Sequence, residues 1–239
     1  MKKRVIGATL ASLTFGGLLF ATSTSATEVS HGETDVQIGF LEDDHHPEDP
    51  GDDGQLQLTW APNLFDFKMN NALPTTTGQQ TYTEQVFTGQ GKNAYVVVRD
   101  DRPESQSATR SWKLKAILGD LIDPNGKKLA DAKINLQHNI KGYVHNFPTV
   151  PDQGPTVQPA NVLTYSGTAI VLPTPQGTQL PADGTSSVEL MKTTDSTEGR
   201  QSNALEMNSI LMTVPADSIT ANGHTTYTSK ITWSLDDTL

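Results

Sequence analysis

From residue 54 onward the apolar side chains recur at every second position in short runs, and Pro, Gly, Asn and Asp divide the runs. Successive side chains of a strand point to opposite faces, so residues two apart share one face. The last run places Tyr227, Ile231, Trp233 and Leu235 on one side, with Ser229 among them, and Thr228, Lys230, Thr232 and Ser234 on the other. A run near the middle behaves alike: Trp112, Leu114, Ala116 and Leu118 fall together, Lys113 and Lys115 face away, and Ile117 breaks the alternation. The same texture predicts strands over 55–60, 81–87, 93–99, 110–118, 132–138, 162–172, 186–191, 208–214 and 225–235. Sustained helical periodicity is missing, and 203–208 reads as a single turn of helix. Many short strands between turn signals predict an all-β domain, an antiparallel β-sandwich or barrel-like fold. Asp123-Pro124-Asn125-Gly126 is the clearest turn, since Pro presets the first angle and Gly accepts positive φ, and it predicts a hairpin-like pairing of 110–118 with 132–138. Asn222-Gly223 reads as a turn before the last strand, while 147–159, with four Pro, and 173–184 read as loops.

The first 53 residues have another character. Lys2, Lys3 and Arg4 precede an apolar run over 5–21, and the small residues Thr24 and Ala26 suit a cleavage site. This is the pattern of a secretory signal peptide over 1–26, with a mature chain starting near Thr27. The run is shorter than the ~20 apolar residues that span a bilayer, so no membrane span is expected in the mature form. Residues 27–53 hold ten Asp and Glu and no Lys or Arg, which predicts a disordered acidic leader or linker ahead of a domain over 54–239. His45 and His46 lie among these acids, but the alternating ligands of a calcium loop are absent, and no metal is expected. Removing these ten acids and the three basic residues at the start from totals of 27 and 17 leaves 17 acidic against 14 basic side chains after residue 53. The net charge of −10 therefore sits mostly in the linker, and no basic stripe suggests nucleic acid as a partner. With no Cys, disulfides, thiolate metal sites, a Cys nucleophile and a lipidated cysteine are all excluded.

Catalysis has little support. A glycosidase needs two converging carboxylates, and Asp100, Asp101, Glu104, Asp195, Glu198 and Glu206 all fall where the pattern predicts loops or exposed edges. His138, His145 and His224 stand outside any G-x-S-x-G or H-E-x-x-H context. The expectation is a non-enzyme without a cofactor.

Two W-x-L triplets, Trp112-Lys113-Leu114 and Trp233-Ser234-Leu235, the second inside a Y-x-x-x-I-T-W-x-L strand, resemble the WxL domain of surface proteins from Gram-positive bacteria. Supporting stretches are Gly54-Gln55-Leu56-Gln57-Leu58, leading through Ala61-Pro62-Asn63 to Phe65-Asp66-Phe67, then Tyr95-Val96-Val97-Val98-Arg99-Asp100 and Leu129-Ala130-Asp131-Ala132-Lys133-Ile134. The resemblance covers 54–239, and the acidic leader looks like the spacer such proteins carry. It implies a secreted, non-enzymatic module held non-covalently on the cell wall, through peptidoglycan or an associated wall polymer, beside other anchored surface proteins. Non-covalent retention also fits the lack of an L-P-x-T-G sorting signal.

The wall-binding motif residues Trp112, Leu114, Trp233 and Leu235 admit two roles. Each Trp shares its face with a Leu, which favours a core position burying about 150–250 Å² per ring, provided the indole N–H finds an acceptor. Alternatively a ring edge stacks on an N-acetylated sugar. Trp60 and Tyr227 are reserve candidates for ligand contact. The other function class is a partner- or host-ligand-binding component of a surface complex, with loops over 147–184 supplying specificity.

Overall fold

The alternation is realised as two packed sheets. The computed structural model describes residues 27–38, 56–68, 71, 78–102, 111–143, 162–165, 170–174, 177–193, 201–216, 218 and 225–238. Among these the strands are β1 (Thr27–Ile38), β2 (Leu56–Trp60), β3 (Leu64–Asp66), β4 (Gln79–Thr83), β5 (Ala94–Asp100), β6 (Ser111–Leu118) and β7 (Lys133–Tyr143). There follow β8 (Val162–Thr164), β9 (Ile170–Val171), β10 (Thr178–Pro181), β11 (Val188–Thr193), β12 (Gln201–Pro215) and β13 (Tyr227–Thr238). The first sheet runs β3-β1-β13-β6-β11-β9, and the second runs β10-β7-β12-β5-β2, with β4 added to β12 and β8 to β7. Their facing sides make one core, in which Trp112, Leu114, Leu118, Ile231, Trp233 and Leu235 from the first sheet meet Val96, Val98, Ile134, Leu136, Leu205 and Met212 from the second. The all-β sandwich expected from the pattern is the observed class.

The Asp123 turn forms as expected and connects differently. The Asp123 carboxylate accepts the amides of Asn125 at 2.9 Å and Lys127 at 2.7 Å, and Gly126 takes φ +80°. Yet β6 pairs with β13 and β11, while β7 pairs with β12, β10 and β8. The chain thus crosses from one sheet to the other here instead of making a hairpin. The apolar faces of β6 and β7 are each buried by facing across the core.

Three further expectations are corrected. Residues 203–208 lie inside β12, and both faces are buried there: Leu205 and Met207 point into the main core while Ala204 belongs to a second cluster on the outside of the sheet. A strand buried on both faces loses its alternation and imitates a helix. Within 173–184, Thr178 and Leu180 are buried on β10, which pairs with β7 over Thr178↔Leu136 to Pro181↔Lys133.

The third is the leader. Residues 27–38 are β1, paired antiparallel with β13 from Thr27↔Asp237 to Ile38↔Tyr227 and parallel with β3. Thr34 and Val36 are buried, and Lys230 Nζ reaches Glu33 at 2.7 Å and Asp35 at 3.8 Å. Averaging composition over 27–53 hid a contrast, for 27–38 holds three acids and 39–53 holds seven. The signal-peptide expectation, the rest of the linker, the loop over 147–159 and the Asn222-Gly223 turn lie outside the described residues.

Candidate functional site

The W-x-L triplets occupy neighbouring strands in opposed directions. In the register of β13 with β6, Leu235 stands opposite Leu114, Trp233 opposite Ala116, and Asp237 opposite Trp112. The two leucines form a cross-strand pair on the inner face, and one Trp lies to each side of it. All four side chains are 0 % exposed. The Trp233 indole N–H donates to the Thr34 hydroxyl, which donates onward to the Pro62 carbonyl. Trp112 Nε1 is buried without a partner. Tyr227 is also an inner-face core residue, and burial, assisted by the charge of Asp123, raises its phenol pKa.

Beside Trp112 the core ends in ions. Arg102 Nε and Nη2 donate to both oxygens of Asp100 at 2.8 and 2.7 Å, and its Nη1 donates to Asp237 at 2.7 Å. Asp100 closes β5 and Asp237 lies on β13, so this buried group ties the second sheet to the first. On the opposite, wet face of β13, Lys115 pairs with Asp236.

The outside of the second sheet carries a separate cluster of Tyr95, Val97, Tyr143 and Ala204, with Trp60 and Val162 packed against it. Leu56 and Leu58 point inward opposite Asp100 and Val98, and continued alternation would send Trp60 inward as well. The bulge at Thr59 shifts the phase, so Trp60 comes opposite Val97 and turns outward. Cross-strand partners then build a row of Trp60, Val97, Ala204, Lys141 and Thr164, flanked by Tyr95 with Glu206 on one side and by Ser202 with Tyr143 on the other. Glu206 Oε1 accepts from Tyr95 Oη at 3.0 Å and Asn93 Nδ2 at 2.9 Å, and Lys141 Nζ lies 3.5 Å from Oε2. Burial, together with this carboxylate, raises the Tyr95 phenol pKa. Tyr95, Tyr143 and Glu206 are themselves buried, so the half-buried Trp60 indole, which can stack on an apolar ring face, and the part-exposed Lys141 ammonium are the groups this face offers a ligand.

Of the acids weighed as catalysts, Asp100 and Glu206 are buried and engaged, which corrects their expected solvated positions. Asp101 pairs with Arg99. His138 is buried on the inner face of β7, its Nε2 at 2.9 Å from Thr178 Oγ1 and its Nδ1 without a partner, and burial lowers its pKa. Glu104, Asp195, Glu198, His145 and His224 lie outside the described residues. Among the described residues no group of three or more His, Cys, Asp or Glu is placed to hold a metal ion, and no helix is long and apolar enough to cross a membrane. The sequence singled out Trp60 without its partners, because Tyr95, Tyr143 and Glu206 join it only through strand register.

The chain is thus a two-sheet sandwich with an ion-paired outer face on its first sheet and the Trp60 cluster on the outside of its second. The family model described as "WxL domain surface cell wall-binding" matches residues 27–238, and the chain belongs to that family of cell-surface, wall-binding domains. The match starts where β1 starts, ahead of the boundary expected at residue 54. No curated protein and no solved structure matches the chain.

Proposed function

We propose that this chain is a secreted, non-catalytic attachment protein that holds to peptidoglycan non-covalently through the outer face around Trp60. One observation carries the reading: both W-x-L indoles are in the core, whereas the bulge at Thr59 turns Trp60 out to join Tyr95 and Tyr143 beside Glu206 and Lys141. The apolar face of an N-acetylated sugar stacks on the Trp60 ring. Lys141, held beside the buried Glu206 and itself part-exposed, meets carboxylates of the stem peptides. A role without catalysis is supported by the engagement of the buried acids, Glu206 by Tyr95, Asn93 and Lys141, and Asp100 and Asp237 by Arg102.

The test is sedimentation of the protein with protein-stripped cell walls, before and after removal of teichoic acids. The wild type should pellet in both cases. Trp60→Ala, a half-buried change at a sheet edge, should fold and bind about tenfold more weakly, the effect of losing one aromatic anchor. Pelleting only before teichoic-acid removal would assign a different polymer. Unchanged binding by Trp60→Ala would move the contact elsewhere, and pelleting that needs a second protein would favour a complex component.

A further inference from the structure

We infer that β1 is an exchangeable strand and that the slot between β13 and β3 accepts the β1 of a second copy of this chain, giving a strand-swapped dimer. Within the first sheet, β3 is joined to β13 only through β1. β1 is held by a backbone ladder to β13, and among its described side chains Thr34 and Val36 are fully buried while Glu33 and Asp35 pair with Lys230 on the wet side. An identical strand from another chain reproduces all of these contacts.

The slot is also selective, which decides the occupant. At Gly32, opposite Trp233, an added Cβ would lie 2.8 Å from Leu58 Cδ2, so a larger residue there has to move the tip of that side chain. Two residues on, the slot requires a side chain that accepts the Trp233 N–H and reaches the Pro62 carbonyl, as the Thr34 hydroxyl does. Two further on, it encloses Val36. A Gly-x-Thr-x-Val strand answers this description, and a second copy carries it.

Chain length permits the exchange. Seventeen residues separate Ile38 from Leu56, with seven acids and no Lys or Arg. A chain of that length reaches at most about 56–60 Å. Swapping an identical element conserves the contacts of both copies, so closed monomer and swapped dimer differ in linker path and mass action. The pairing of Thr34 with Trp233 spans 199 residues, and a contact of such separation forms late. Until β13 is in place, the β1 of a neighbouring chain can compete for it. The slot lies in the first sheet and the Trp60 face in the second, so a swapped dimer presents two wall-binding faces.

Glu33 and Thr232 are cross-strand partners on the wet face, a separation that a disulfide can bridge, and the chain has no native Cys. Chains carrying Glu33→Cys alone and Thr232→Cys alone are unfolded in urea together, refolded at high protein concentration and oxidised. The expected product is a species of twice the mass containing the mixed 33–232 disulfide, identified by peptide mass mapping. Ser234→Cys, two residues out of register, should give little of the bond with Glu33→Cys. The double variant Glu33→Cys/Thr232→Cys, refolded dilute, should close the bond within one chain and show that the pair oxidises. Formation of that internal bond, with only monomers and no mixed bond from the co-refolded single variants at any concentration, would overturn the proposal.

Discussion

Trp233 depends on Thr34 for the one hydrogen bond its ring needs. Thr34→Val keeps the shape of the side chain and strands the indole N–H in the core, so it should cost about 1–3 kcal/mol in urea unfolding. Trp233→Phe should cost less in the Thr34→Val background than in the wild type, because the orphaned group leaves with the indole. The inward position of Trp233 was legible in the two-residue alternation. Its acceptor was not, since Thr34 is far away in sequence and sits among acids that read as solvated. His138 gives a second prediction at this scale. Burial lowers its folded pKa below the usual 6.5, so the unfolded chain binds the proton first as pH falls. Its contribution to stability is complete above about pH 6.5 and is lost as pH drops toward the folded value. Urea midpoints across that range should fall more steeply for the wild type than for His138→Leu.

At the scale of elements, most strands were legible, but β1, β3, β10 and the first half of β12 were not, and neither was strand phase beyond a bulge. Bulges between Leu58 and Trp60, Met207 and Ser209, and Glu189 and Met191 each insert a residue and flip the faces beyond it. Nothing in the local pattern marks an insertion, so the outward turn of Trp60 could not be read from its neighbours. The partner strands of β6 and β7 were equally hidden, because a turn motif fixes a reversal of direction and leaves open which sheet receives the next strand. The join between the sheets offers its own test. Arg102→Met removes the cation shared by Asp100 and Asp237 and leaves two buried carboxylates facing each other. The expected loss is about 3–5 kcal/mol of unfolding free energy. An unchanged midpoint would mean that these acids find solvent or take up protons at no cost, and that the ionic end of the core does not hold the sheets together.

For the whole molecule, charge and hydrophobicity are distributed differently over the outer faces of the two sheets. The first sheet turns a wet face outward on which Lys113, Lys115, Lys192 and Lys230 are matched by Glu189, Asp236, Glu33 and Asp35. The second sheet turns out the Trp60 cluster. Between them the W-x-L pairs form a Trp-Leu-Leu-Trp ladder whose work is to weld β6 to β13 and both to the facing sheet. The buried W-x-L residues therefore serve the fold, and the proposed wall contact is placed on other residues. The most direct measurement is equilibrium urea unfolding of Trp233→Ala and Trp112→Ala beside Lys113→Ala and Ser234→Ala, each followed by wall sedimentation of the folded fraction. Each Trp variant should lose about 3–5 kcal/mol, as for other large aromatic side chains deleted from a core. The two wet-face variants should barely move, and whatever Trp variant remains folded should still pellet with walls. A Trp233→Ala protein of full stability that no longer pellets would contradict the account and place the wall ligand against the indole itself.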